Sequence, residues 1–168
     1  MPEEKVAIFI DASNLFHACK LFRDGFKVDY IKLREKLAEG RKLIRAYYYG
    51  SFDPLNEGQI KFKHFLQYNG FNVETRTLRM RGDKHHEKGV DVALVTEMLS
   101  LGFRGIYDVA VLVSGDDDFV CAVDEVKRNG RRIEIAAFNC AIGGELKRSA
   151  DRFRPLDDIA DEIEIIEK

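Results

Sequence analysis

Two runs of the chain are apolar almost without interruption, Val6–Asp11 (VAIFID) and Val109–Ser114 (VAVLVS). A half-exposed strand alternates apolar and polar residues, so an unbroken apolar run needs cover on both faces. A parallel sheet sandwiched between helices supplies that cover. Three more runs, Leu43–Tyr49, Phe71–Thr77 and Ile133–Phe138, read as strands of the same sheet. Helical patterns fill the gaps at Asn14–Phe22, Tyr30–Ala38, Gly58–Tyr68, Val90–Leu101, Phe119–Arg128 and Gly144–Ala150. Gly40, Gly50, Gly70, Gly102, Gly105 and Gly130 stand where helices should close or strands open. The expected fold is a three-layer α/β/α sandwich with a mostly parallel five-stranded sheet. At 168 residues and 45% hydrophobic, the chain can bury one core, so a single domain over 1–168 is expected.

The N-terminus carries no basic flank followed by an apolar stretch, and no run approaches the length of a membrane span. Cys19, Cys121 and Cys140 form no C-x-x-C pair, which points away from a disulfide framework or zinc knuckle and toward buried thiols in a reducing cytoplasm. Residues 157–168 hold six acids and one Lys, a net −5, so the remaining 156 residues carry +3 within a total of −2. An anionic partner therefore remains compatible with the charge. Ile159, Ile163 and Ile166 give that acidic tail a helical spacing.

In folds of this class ligands collect at the carboxyl ends of the strands, where the strand order reverses. The first strand ends in Asp11-Ala12-Ser13-Asn14 and the fourth in Ser114-Gly115-Asp116-Asp117-Asp118-Phe119. Helix capping explains Ser13 and one or two of the aspartates. It does not explain three in a row, which repel one another by roughly 1 kcal/mol or more when partly desolvated. A third acid, Asp91, opens the Val90–Leu101 helix and by spacing shares a face with Leu94, Val95, Met98 and Leu99, so it is expected to start the buried stripe. Asp11, Asp91, Asp116 and Asp118 could then converge on one pocket. Carboxylates without His or Cys suit a hard cation, Mg²⁺ or Mn²⁺, and such ions serve phosphodiester hydrolysis by activating water. Asn14 could orient a ligand or phosphate, and Ser114 could hold a carboxylate or the attacking water.

The strand ending in D-x-x-N (Asp11, Asn14), then K-G-V-D (Lys88 to Asp91), then S-G-D-x-D-F (Ser114 to Phe119) resembles the NYN domain, in its LabA-like branch, related to PIN-domain nucleases. The resemblance runs in order from about Val6 to Arg154. It implies a PIN-like sheet of order 3-2-1-4-5 and a metal-dependent ribonuclease acting on RNA. Its acidic positions fall on Asp11, Asp91, Asp116 and Asp118, as metal ligands and catalytic groups, with Asn14 and Ser114 as polar helpers. No motif position is substituted.

The Arg76–Lys88 segment (RTLRMRGDKHHEK) joins the third strand to the helix carrying Asp91 and should overhang the site. Arg79, Arg81 and Lys84, with Arg76, would bind backbone phosphates, or else form a solvated loop. Lys88 would stand beside the carboxylates, while His85 and His86 read as surface residues. Lys147, Arg148, Arg152 and Arg154 could extend a phosphate track. Tyr47-Tyr48-Tyr49 reads as core packing, and Phe16 and Phe52 are the better candidates for base stacking. Two other readings stand beside the ribonuclease. A haloacid-type phosphatase needs a second aspartate where Ser13 stands, and no phosphate-binding glycine loop is present. A non-catalytic RNA-binding or regulatory module would retain the carboxylates and use the Ile-spaced tail as a docking helix or homodimer contact.

Overall fold

Ile8 and Phe9 are both fully buried, yet they face opposite ways. In the computed structural model, which describes residues 3–77, 79–81, 84–86 and 89–166 and side chains outside 76–88, they lie on a strand at the middle of the sheet. This strand, β1 (Lys5–Asp11), sends Val6, Ile8 and Ile10 into one core and Ala7 and Phe9 into another. The strict alternation explains the near-continuous apolar run.

The first core is closed by α1 (Ala12–Phe22), α2 (Tyr30–Ala38) and α3 (Glu57–Tyr68) through Leu15, Leu33, Leu37 and Leu66. The second is closed by α4 (Val90–Phe103), α5 (Val120–Arg128) and α6 (Gly144–Ser149) through Leu94, Met98, Val123, Val126 and Leu146. The strands are β2 (Lys42–Phe52), β3 (Phe71–Thr77), β6 (Val109–Val113), β7 (Arg132–Ala137) and β8 (Arg152–Pro155), beside β1. They pair in the order β3-β2-β1-β6-β7-β8, all parallel. The order read from the sequence is therefore met, with one strand added. β8 escaped notice because it is a short edge strand, RFRP, with no apolar run to mark it.

The Arg76–Lys88 segment contains a two-stranded antiparallel ribbon, β4 (Arg79–Arg81) and β5 (Lys84–His86), where a plain loop was one expectation. The tail also differs from a single helix. It makes a 3₁₀ turn at Leu156–Ile159 and a short α7 (Ala160–Ile163). Ile163 is buried in the first core, the Asp29 N–H donates to its carbonyl at 2.7 Å, and Glu164 bridges to Val28. The tail thus seals the α1–α2 connection. Among the described residues no helix is long and apolar enough to cross a membrane.

The three tyrosines pack as expected. Tyr47 and Tyr49 stack against Phe9 on the α4 side, and Tyr48 meets Tyr30 and Phe62 on the other. Phe52 joins the first core at 7% exposure, so it offers no ring to a base. Arg152 and Arg154 are likewise not a phosphate track. Both bind acidic partners, Arg152 on Glu39 and Arg154 on Glu39 and Glu134. Of the thiols only Cys19 is buried; Cys121 and Cys140 are exposed.

Candidate active site

β1 touches β2 on one side and β6 on the other, and the chain reaches β6 only after passing out to β3. The helix following β1 and the loop following β6 therefore splay apart at the carboxyl edge, and the gap between them is the switch point. A cavity of about 230 Å³ occupies it, lined by Asp11, Ser13, Asn14, His17, Gly50, Ser51, Val90, Asp91 and Asp116.

Asp11 is the buried member, at 5% exposure. It caps α1, one oxygen accepting from the Asn14 N–H at 3.4 Å, and its other oxygen accepts from the Ser114 hydroxyl at 3.0 Å. Ser114 Oγ accepts in turn from the Asp116 N–H at 3.2 Å, and the Asn14 side-chain oxygen accepts from the Gly115 N–H at 2.9 Å. These bonds join the start of α1 to the β6–α5 loop across the gap. Ser114 therefore holds a carboxylate, one of the two roles its position suggested, and Asn14 holds the loop. Burial pushes the Asp11 carboxyl up to about 6; the Ser114 and Asn14 hydrogen bonds pull it down, and the nearby Asp91 and Asp116 charges push it up again.

The three consecutive aspartates part company because they enter a tight turn, Asp117–Phe119, whose successive side chains point about 120° apart. Asp116 lines the cavity and accepts from the Asp118 N–H at 2.9 Å. Asp117 accepts from the Leu146 N–H at 2.9 Å, fastening the loop to α6. Asp118 is exposed and is not among the lining residues, so three of the four acids expected to converge do so. Asp91 reaches the cavity from the first turn of α4 but is exposed, contrary to its expected place in the buried stripe. That stripe is Val90, Leu94, Met98 and Leu101. Arg79, Arg81 and Lys84 lie on the ribbon with side chains outside the described residues, and Lys88 lies wholly outside them.

Gly115 has no room for a side chain, since a Cβ would overlap the Ala141 carbonyl oxygen. Gly115→Ala must displace the β6–α5 loop, with an expected loss of about 1–3 kcal/mol in thermal unfolding. Undisturbed stability would mean that the loop is not held where these contacts place it.

His17 and Ser51 are lining residues that no motif announced, and Ser13, expected as a helix cap, lines the cavity instead while Asp11 caps α1. Ser51 Oγ is buried without a hydrogen-bond partner among the described residues. An orphaned hydroxyl on a cavity wall is a place for a ligand or an ordered water. Among the described residues no three His, Cys, Asp or Glu side chains form a group that could hold a metal ion unaided. The lining donors are nevertheless oxygens, His17 apart. Mg²⁺ keeps much of its water and takes only a carboxylate or two from protein, so it fits such a wall, whereas zinc would want nitrogen and sulfur.

The NYN domain family matches residues 5–157. The chain belongs to that family. This NYN domain is also 30% identical over 173 residues to the low amplitude and bright protein LabA of Synechococcus elongatus, covering 98% of this chain and 90% of the relative. In fold it is similar to the crystal structure of a protein of unknown function from Vibrio parahaemolyticus. That likeness has a TM-score of 0.83 at 22% identity and covers 97% of each chain.

Proposed function

We propose that the chain is a metal-dependent ribonuclease whose site is the switch-point cavity. The observation that carries this is the meeting of Asp11, Asp91 and Asp116, from the ends of β1 and β6 and the start of α4, on one polar cavity. Membership of a PIN-like nuclease family supports the same reading.

In this reading one or two of the carboxylates Asp11, Asp91 and Asp116 would hold Mg²⁺ or Mn²⁺ together with water, with Asp118 outside the cavity lining. The ion would supply charge stabilisation at the phosphate and a lowered pKa for water. Ser114 fixes the rotamer of Asp11 and, through the Asp116 N–H, the approach of the second carboxylate. Asn14 keeps the β6–α5 loop at its distance from α1. Ser13, Ser51 and His17 offer hydrogen bonds to a phosphodiester entering the cavity. Arg79, Arg81, Lys84 and Lys88 would add attraction for the backbone through their charge.

The test is cleavage of end-labelled single-stranded RNA in Mg²⁺, Mn²⁺ or EDTA, native against Asp116→Asn. Loss of about 3 kcal/mol of transition-state stabilisation would slow the variant about a hundredfold. Equal cleavage by both proteins would remove the aspartates from the reaction. RNA bound by both and cut by neither would make the chain the non-catalytic module.

A further inference from the structure

The outward face of α1 carries features that neither capping nor core packing accounts for. Ala12, Leu15, Ala18 and Cys19 turn into the core, which leaves Ser13, Phe16, His17 and Lys20 on the opposite face. This row begins inside the cavity, where Ser13 and His17 are both lining residues, and runs outward along the helix. Phe16 is 57% exposed, as is Leu21 further along the helix at 70%, while Leu15 and Cys19 are buried. Its ring meets the His17 ring edge to face at 5.8 Å, and the Lys20 ammonium lies 4.3 Å from its centroid. Lys20 alone would be an ordinary cation at a helix C-terminus. An exposed phenyl ring between that cation and a cavity-lining histidine has no such explanation.

We infer that this face is the substrate track for a single strand. One base stacks on Phe16, Lys20 neutralises an adjoining backbone phosphate, and His17 leads the strand into the cavity. The inference rests on the ribonuclease reading and adds a substrate class to it. A base can reach Phe16 only if it is unstacked from its neighbours, as in a single strand, a loop or an end; a paired helix keeps its base faces covered. Aromatic stacking and a nearby cation are the usual means of holding such a strand without reading its sequence. A flush duplex has no base to offer and gains only the contact with Lys20.

The test is fluorescence anisotropy with a short fluorescein-labelled oligouridylate in EDTA, where no turnover occurs. Native protein, Phe16→Ala, Phe16→Trp and Lys20→Ala are compared, with a labelled RNA duplex as second probe. Phe16 is exposed, so its replacements should leave the fold intact, which melting curves check. Phe16→Ala is expected to weaken single-strand binding about tenfold or more, and Phe16→Trp to restore it. Lys20→Ala should flatten the dependence of log K on log salt by about 0.7, the contribution of one phosphate on a single strand. The duplex should bind native and Phe16→Ala alike. Single-strand affinity within twofold of native in Phe16→Ala would overturn the track while leaving the ribonuclease reading standing. Native protein that binds neither probe and cuts no RNA would overturn both.

Discussion

Asp11→Asn is expected to do two opposite things, to abolish RNA cleavage and to raise the melting temperature at pH 8. The first follows from the place of Asp11 among the cavity carboxylates, and a loss of at least about a hundredfold is expected. The second follows from its burial. The carboxyl is pushed from 3.8 to about 6 in the fold. Between those values the folded chain binds more protons than the unfolded chain, so its stability falls as pH rises through the window. The contribution is fully present below about pH 4 and fully lost above pH 6 to 7. In energy the shift corresponds to about 3 kcal/mol, carried as a penalty by the native protein at pH 8. Asparagine removes the charge but can satisfy only one of the two donors, Ser114 and the Asn14 N–H, at a loss of about 1 kcal/mol. The net gain is about 1–2 kcal/mol at pH 8 in EDTA, several degrees of melting temperature. At pH 4 the gain should vanish, and Mg²⁺ should narrow it at pH 8 by stabilising the native site. Melting curves at both pH values in EDTA decide the matter. A variant less stable than native at pH 8 would mean that Asp11 is not a carboxylate held against its solvation.

This tension between stability and function explains which parts of the site could be read from sequence. Asp11 and Asp116 were legible because each follows an apolar strand at the carboxyl edge of the sheet, where ligands collect in this fold class. Ser51 was not, because the expected strand stops at Tyr49 and Gly50 reads as a breaker; β2 continues through Gly50 to Phe52 and carries Ser51 to the cavity wall. His17 left a signal, since it stands four residues after Ser13 and three after Asn14 on one helical face. The exposure of Asp91 could not be derived by periodicity. α4 is apolar nearly all round, with Val92 and Phe103 exposed and Leu94 and Met98 buried, so more than one stripe satisfied the pattern. The central strands posed no such problem. Being buried on both faces, β1 and β6 admit only one reading, and they alone place the switch point.

Far from the cavity, Arg41→Met is expected to be the most destabilising single change outside the apolar core. Glu134 stands in β7 at 2% exposure, among side chains of the first core's face. Its carboxylate is held by the Arg41 guanidinium through two bonds, at 2.9 and 3.1 Å, and by Arg154 at 3.2 Å. Arg41 also donates to the carbonyls of Leu37 and Ala38, each at 3.0 Å, so it closes the last turn of α2 while neutralising Glu134. Methionine fills the volume of the arginine stem but leaves the carboxylate with one of its three hydrogen bonds, from Arg154, while the Leu37 carbonyl keeps Arg154 at 2.8 Å and the Ala38 carbonyl keeps the residue-41 N–H at 3.0 Å. Removing one partner of a buried pair costs about 3–5 kcal/mol, and with Arg154 still in place the lower end is expected. For a chain of this size that is a fall of about 6–12 °C in melting temperature. The same physics predicts a partial rescue. In Arg41→Met combined with Glu134→Leu no charge is left stranded on the sheet face, and Arg154 keeps Glu39 at 3.2 Å. The double variant should recover about half the loss or more, because well-packed apolar residues replace buried pairs at little cost. Additive losses in the double variant would show that Arg41 acts through its other partners, Glu4 at 3.2 Å, Glu39 at 3.3 Å and the α2 carbonyls, and that its pairing with Glu134 contributes nothing separable.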